Sequence, residues 1–479
     1  MKKPTESEPS EDNNLPITDQ ITDQNRAKTF YISTLGCKVN QYESDGIASE
    51  LIDNGWHQVK RAKDASICII NSCAVTARAA MQSRQQIRST IRAKLEDAKV
   101  FVTGCHAETA TEEIRKIEGV DIVAGHNDKF KIAKMILNLD LNSDNEQNLS
   151  SFFYSFKPAV TGSKTRAYLK IQDGCNSFCT YCIVPYARGR SRSMPKSEVI
   201  EHLLNLSSKG YKEAILTGIH VGAYGLDFAC KSSLTDLMVE IESLKPIHRI
   251  RLSSIEPKEL TDKIIDLAAK RAILCDHFHI PLQSGDDLIL KRMGRPYDSE
   301  MFSNLITKIH KKIPTAAIGV DILVGFPSES DLAFENTFNL IKELPISYLH
   351  VFPFSPRKGT PAYDYPNKVN NQIVTKRCEI LRQLGAKKRL EFEDNIIKQS
   401  KELALTFESV IQDKRDSKTG KIIAVTSNYL TVFVDGSDDL KRQIVRVQLQ
   451  GRDQNSNKIV GDVYARPYNP NTPVVCVDE

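Results

Sequence analysis

The sequence contains no uninterrupted apolar run approaching the roughly 20 residues that a membrane-spanning helix needs. Its opening residues, MKKPTESEPSEDNN, lack the apolar segment of a secretory signal. These two absences set the expectation of a cytosolic protein whose 11 cysteines sit in a reducing compartment. In such a setting, clustered cysteines mean metal binding or catalysis more often than disulfides. A large charge of one sign is missing too: 65 Lys and Arg face 60 Asp and Glu, a formal +5. That balance permits a nucleic-acid partner without arguing for one. What the chain does have is length and apolar content. Its 479 residues, 41% of them hydrophobic, can bury a sizeable core spread over several domains.

Residues 1–27 are rich in Ser, Glu, Asp, Asn and Pro and repeat the tetrapeptide ITDQ. Such a segment buries too little apolar area to offset its ordering entropy and is expected to be a disordered tail. From Phe30 the texture changes. TFYISTL, SICIINS, KVFVTG and VDIVAG read as short strands. YESDGIASELIDNGW, with Ile47, Leu51 and Ile52 on one face, and the stretch from Ala77 read as helices. Apolar strands alternating with amphipathic helices predict a Rossmann-like parallel α/β unit. Cys37, Cys73 and Cys105 each follow one of its strands, in TLGCKVN, NSCAVT and TGCHAE. Ligands in open α/β sheets bind beyond the carboxyl ends of the strands. One cysteine there is ordinary packing; three at equivalent strand ends favour a shared site.

A polar linker, NSDNEQNLSS (142–151), comes next. Between residues 165 and 354, RAYLKIQDG, EAILTG, RIRLSS, HFHIPL, AIGVDILVG and YLHVFPF are six strand candidates separated by helical segments. They predict a partial (β/α)6 barrel of the TIM type. A charged connector, TKRCEILRQLGAKKRLEFEDNIIKQS, reads as helix. From about Leu403 to Ala465, short alternating runs broken by Gly, Asp and Asn predict a small antiparallel β-barrel. Such barrels bind nucleic acid or serve as packing modules, and the fold alone does not choose.

The densest motif is DGCNSFCTYCIVPYARGRSR, residues 173–192, in the loop after the first barrel strand. Cys175, Cys179 and Cys182 are one ligand short of a closed zinc site or a fully ligated iron–sulfur cubane. The nearest downstream histidine, His202, lies on a predicted helix at no zinc spacing. A cluster with one open iron fits better, because that iron could chelate the amino and carboxylate groups of S-adenosylmethionine (SAM). Tyr181 could then lie against the adenine. Arg188, Arg190 and Arg192 could meet a carboxylate or phosphates, or form a merely solvated basic loop. Gly218, Ser254, Glu256, Gln283 and Asp321 all end barrel strands on the active face. They could hold ribose, methionine or a target base; a simple turn at Gly218 and helix caps elsewhere are the plain alternatives. Cys68, Cys230, Cys275, Cys378 and Cys476 are read as packing residues.

The three-cysteine motif after strand one, with six β/α units, resembles the radical SAM superfamily. TLGCKVNQYES, NSCAVT and TGCHAE resemble its methylthiotransferases, and within them the branch acting on threonylcarbamoyladenosine in tRNA. The isopentenyladenosine branch reads closer to FGCQMNEYDS and the ribosomal-protein branch closer to LGCPKNLVDS. HIPLQSG, DILVGFPSE and FPFSPRKGTPA extend the resemblance over residues 28–465; His106 and Glu108 depart from the expected Tyr and Gln. The resemblance implies two 4Fe–4S clusters. Cys175, Cys179 and Cys182 would hold the one that cleaves SAM to a 5′-deoxyadenosyl radical, and Cys37, Cys73 and Cys105 an auxiliary one that carries sulfur. SAM would serve as both radical source and methyl donor. It also implies a domain order: a tail (1–27), an auxiliary-cluster domain (28–142), a radical SAM core (160–398) and a TRAM RNA-binding domain (400–466). The implied partners are a tRNA anticodon stem-loop, an electron donor such as flavodoxin or ferredoxin, and a sulfur source, with no membrane. The stem would be gripped by the small barrel and by the connector's basic KKR and KR groups. Competing expectations are a different methylthiotransferase substrate, isopentenylated tRNA or a ribosomal protein, or a non-catalytic metal-loaded RNA-binding regulator.

Overall fold

The computed structural model describes residues 28–137, 153, 156 and 165–465. The expected tail, the linker 142–151 and Cys476 lie outside the described residues. The first sheet is parallel, with β1 (Thr29–Thr34), β2 (Ile67–Ser72) and β3 (Lys99–Gly104) side by side in chain order. Two-residue strands, His57–Gln58 and Ile122–Val123, form its edges, so VDIVAG contributes far less strand than its pattern suggests. All six residues of β2 are buried, which is why ICIINS is nearly continuously apolar: helices cover both faces. Helix α1 (Lys38–Asp53) buries Val39, Tyr42, Ile47 and Leu51. Ile52 is exposed instead, one 100° step past Leu51 and off the stripe. Helix α2 (Ala77–Ala93) is capped by Thr76, whose hydroxyl accepts from the Ala79 N–H.

Six parallel strands then make an open barrel. They are β4 (Ala167–Lys170), β5 (Glu213–Thr217), β6 (Arg249–Leu252), β7 (His277–His279), β8 (Ala317–Val324) and β9 (Tyr348–Pro353). β4–β5–β6 and β7–β8–β9 pair as two trios, joined by parallel bridges Ile250–Leu274 and Ser254–His279. β4 and β9 do not pair with each other, so the barrel stays open along one side. The core is continuous from β1 and α1 (Phe30, Tyr42, Ile47) into the barrel (Leu169, Leu216, Ile318).

The short helix α3 (Cys105–Thr109), at the end of β3, is met by α4 (Val184–Arg188), which lies between the first and second barrel strands. Helix α5 (Asn371–Glu402), 32 residues long, lies against β9; a Cβ on its Gly385 would stand 3.1 Å from Leu349 Cβ. It leads into a closed five-stranded barrel: β10 (Thr406–Arg415), β11 (Ile422–Thr426), β12 (Thr431–Val434), β13 (Ile444–Arg452) and β14 (Ile459–Ala465). The α/β architecture with a small terminal β-barrel is therefore present as its sequence pattern predicts. Among the described residues no helix is long and apolar enough to cross a membrane.

Candidate active site

Cys37 lies three residues past the end of β1, at the N-cap position of α1, Cys73 follows β2, and Cys105 opens α3 at the end of β3. The chain reaches two of these positions through glycines that no other residue replaces easily. Gly36 has φ +104, and a Cβ on it would lie 2.9 Å from Cys73 Sγ. Gly104 has φ +97, and a Cβ there would meet the Ser72 carbonyl at 2.2 Å. Burial pushes the Cys73 thiol up to about 11, and the neighbouring thiols of Cys105 and Cys37 add to the effect. The three strand ends thus converge.

The second trio lies on one loop. Gly174, φ +71, lets this loop fold back on Arg190, whose carbonyl a Cβ would meet at 2.0 Å. Backbone bonds pin the rest: Cys175 N to Gly189 O, 3.1 Å; Cys182 N to Cys179 O, 2.9 Å; Thr180 N to Met293 O, 3.0 Å. Burial opposes ionisation of Cys175, but His220 Nδ1, 3.4 Å away, and the Ser177 N–H bring its thiol below the ordinary value. His220 in turn pairs with Glu259 at 2.7 Å and is raised to about 10 despite its burial. Arg295 donates to Cys179 Sγ at 3.1 Å and holds Glu256 with its other nitrogen. Burial pushes Cys182 up to about 12.

The donor sets bear on which metal fits. Thiolates around a single zinc at about 2.3 Å stand about 3.8 Å apart. Among the described residues, the trios of ligand atoms within 4.8 Å of one another are His279–Asp321–His350 and Glu43–His126–Asp173; neither cysteine trio is among them. A cubane, ligated at separate corners, takes three wider-set thiolates and leaves its fourth iron free. Both trios fit that group better than a lone ion.

Between the trios lies a buried ionic hub. Arg188, 1% exposed, donates to Glu43 (2.9 and 3.1 Å), Asp173 (3.0 Å) and Asn40 Oδ1 (2.6 Å). Lys129 reaches Glu43 at 2.5 Å, and Lys170 reaches Asp173 at 3.0 Å and Glu43 at 3.4 Å. His126 joins through Asp173 at 3.3 Å. Burial disfavours both carboxylates, yet these cations hold Glu43 and Asp173 well below the ordinary range. Glu43 comes from α1 and Asp173 from the loop after β4, so the hub ties the first sheet to the barrel. Ala187, beside Arg188, packs on Cys105 and Ala74. Arg188 is therefore no phosphate contact, and Arg192 is buried as well, bonded to His126 and the Arg188 carbonyl. Of the three arginines only Arg190 is exposed, over the Phe178 ring. The basic connector is corrected in the same way. Arg377 is buried on Glu329 at 2.6 Å, whereas Lys387 and Arg389 remain exposed.

Of the remaining candidates, Asp321 lies within β8 and does not end it, opposite His350 of β9. Tyr181 packs against the apolar group around Met293 and Phe326. A Cβ on Gly218 would meet the Gln172 carbonyl at 2.9 Å, so glycine there serves a close approach to the end of β4. Ser254 Oγ lies 2.6 Å from His279 Nδ1, His279 Nε2 lies 2.9 Å from Asp321, and Asp321 lies 3.2 Å from His350 Nδ1. Burial opposes Asp321 ionisation, but the two imidazoles bring it down to about 2. Gln283 sits at φ +70, an uncommon backbone for its type, where its N–H donates to the Asp321 carbonyl at 2.8 Å. The sequence reading missed His220, Glu259, Arg295, Glu43 and His350. His220 and His350 follow or occupy barrel strands on the active side, and that placement was their only signal. Of the cysteines read as packing, Cys68, Cys275 and Cys378 are buried, but Cys230 is exposed.

An open parallel barrel bearing a three-thiolate loop after its first strand defines a radical SAM enzyme. Residues 169–341 match the Radical SAM superfamily, and residues 29–125 match Uncharacterized protein family UPF0004. The chain is 37% identical to the threonylcarbamoyladenosine tRNA methylthiotransferase MtaB of Bacillus subtilis, over 88% of this chain and 93% of that one. It is 34% identical to the MtaB of Aquifex aeolicus, over 86% and 98%. The tRNA-2-methylthio-N(6)-dimethylallyladenosine synthase of Petrotoga mobilis is 33% identical, over 92% and 99%. The radical SAM methyltransferase TsrM of Kitasatospora setae, solved with cobalamin and a 4Fe–4S cluster, superposes with a TM-score of 0.52 at 14% identity. That match covers 70% of this chain and 77% of TsrM, and shows the shared fold. The chain belongs to the radical SAM methylthiotransferase family.

Proposed function

We propose that this enzyme converts N6-threonylcarbamoyladenosine beside the tRNA anticodon to its 2-methylthio derivative. The observation that carries the reading is the pairing of two three-thiolate sites across one buried hub. A sulfur inserted at an unactivated C–H bond needs a radical source and a sulfur carrier held close together. Cys175, Cys179 and Cys182 would hold one 4Fe–4S cluster, and Cys37, Cys73 and Cys105 the other. When bound, the clusters supply one-electron cleavage of SAM and the sulfur to be transferred.

The chain's own residues do the rest. Tyr181 offers an apolar ring for the SAM adenine. Glu256, Ser254 and Gln283 present polar groups toward the chamber for methionine, ribose or the target base. Asp321 fixes the orientation of His279 and His350 through their ring N–H groups. Residues 28–142 would act as the auxiliary-cluster domain, 160–398 as the radical SAM core, and 400–466 as a TRAM module gripping the stem through phosphates. An electron donor and a sulfur source complete the partners. The relatives named for threonylcarbamoyladenosine support this substrate over the dimethylallyl one.

Nucleoside mass spectrometry of tRNA from a deletion strain tests the substrate. Loss of methylthio from threonylcarbamoyladenosine alone is expected; loss from the isopentenyl form instead overturns it. Anaerobic purification should give about eight irons and eight sulfides per chain. A colourless chain with one zinc would support the regulator reading.

A further inference from the structure

The second trio of barrel strands brings three ligand-type side chains to one point. His279 ends β7, Asp321 lies within β8 and His350 within β9. Asp321 stands opposite His350, and His279 stands opposite Gly319, two residues before Asp321. Side chains two apart on a strand share a face, so all three project to the same side of the sheet. Gly319 keeps that face open, since a Cβ there would lie 2.0 Å from the Tyr348 ring.

The ligand atoms meet at the spacing a metal imposes. His279 Nε2 and His350 Nδ1 approach the same oxygen, Asp321 Oδ1, at 2.9 and 3.2 Å. Nitrogen and oxygen ligands about 2.0–2.2 Å from a single ion stand about 3.0–3.5 Å apart. Ser254 Oγ lies 2.6 Å from His279 Nδ1 and fixes which ring nitrogen faces Asp321, the kind of outer hydrogen bond that orients a metal-bound imidazole. The trio Glu43–His126–Asp173 offers the same donor types but needs no added cation. Lys129, Lys170 and Arg188 already neutralise its carboxylates within the hub. Among the described residues no Lys or Arg pairs with Asp321, whose side-chain partners are the two imidazoles. His350 is half-exposed, which gives an ion a way in.

We propose that His279, Asp321 and His350 form a third metal site, which holds one zinc-like divalent ion through two imidazoles and a carboxylate. This donor set suits borderline divalent ions, and three protein ligands leave a coordination position open, as in reactive sites and unlike closed structural ones. Without the ion, the same atoms make the hydrogen bonds by which Asp321 orients both rings. Binding the ion displaces the ring protons that face Asp321. The site uses no cysteine and does not depend on which base is modified.

The test adds zinc to the cluster-loaded holoenzyme under anaerobic conditions, removes the excess by gel filtration and counts both metals by mass spectrometry. The wild type should keep one zinc per chain beside its roughly eight irons. His350→Gln and Asp321→Asn should each lose that zinc with the iron count unchanged. Ser254→Ala, which removes only the outer hydrogen bond, should weaken zinc binding about tenfold to a hundredfold. His350 lies half-exposed on an edge strand, so its variant keeps the test open if Asp321→Asn fails to fold. A wild type that retains no zinc would overturn the proposal, as would zinc gained only while iron is lost. Equal zinc in the wild type and both ligand variants would mark an adventitious ion only and overturn it as well.

Discussion

The two thiolate trios are built in opposite ways. One is local: Cys175, Cys179 and Cys182 share a loop pinned by its own backbone bonds and by Met293. The other is assembled, each of its cysteines being delivered by a different strand of the first sheet. Their electrostatics differ as well. In the barrel, His220 and Arg295 reach sulfur directly. Among the described residues no charged side chain hydrogen-bonds a sulfur of the other trio, whose Cys105 packs against Ala74 and Ala187. Even within the local trio the electrostatics are uneven: His220 and the Ser177 N–H bring Cys175 below the ordinary thiol value, while burial pushes Cys182 up to about 12.

The largest expected effect comes from removing one ligand at a time. Cys175→Ala should abolish 5′-deoxyadenosine formation and, with it, all methylthiolation. Cys73→Ala should leave SAM cleavage running while methylthio product disappears, and each variant should retain about four irons. If Cys73→Ala lost SAM cleavage as completely as Cys175→Ala, the two sites would not be separable.

The hub comes next. Arg188→Met strands Glu43 and Asp173 without their main cation, and breaking a buried pair in this way costs about 3–5 kcal/mol. The urea midpoint should fall accordingly. Because the hub fixes the sheet to the barrel, SAM cleavage should become uncoupled, giving more 5′-deoxyadenosine per methylthio group formed. A lower midpoint with an unchanged ratio would make the hub a stabiliser alone.

A finer comparison uses denaturant short of global unfolding. The assembled trio needs β1, β2 and β3 in register, whereas the loop trio needs only its own turn and the strand before it. Iron should therefore leave in two steps of about four, with the Cys37–Cys73–Cys105 step at lower urea. One eight-iron step would show that the hub makes both sites a single cooperative unit.

The same contrast governs what the sequence disclosed. Cys175, Cys179 and Cys182 announce themselves by spacing, and the strand-end rule was enough to gather Cys37, Cys73 and Cys105. Barrel strands such as β5 and β8 were legible because buried parallel strands are largely apolar, whereas β9 is partly exposed along its whole length. The hub was not. Glu43, Lys129, Asp173 and Arg188 are spread over nearly 150 residues, and each read alone is an ordinary surface charge. Arg188 and Arg192 were misjudged for that reason, since a basic run beside a cluster looks solvated until its partners are placed. Glu213, Arg249 and Arg251 did leave a trace, as charges inside strands otherwise apolar; such charges stay buried only with partners.

Those strand charges set the smallest effect. Burial opposes ionisation of Glu213, but Arg249 and Arg251 bring it from the ordinary 4.5 down to about 2. A carboxylate depressed on folding stabilises the fold fully above about pH 4.5 and loses that contribution as pH falls toward 2. Because Arg249 and Arg251 also hold the β11–β12 hairpin, acid should loosen the small barrel from the open one across that window. Glu43, with its pKa held lower still, should keep the first sheet docked further into acid. Hydrogen exchange resolved by peptide would show residues 425–430 opening before residues 38–53, and Glu213→Gln should flatten the first transition while sparing the second. Simultaneous opening of both segments would mean that one cooperative transition, and not two separately charged contacts, governs how the chain comes apart in acid.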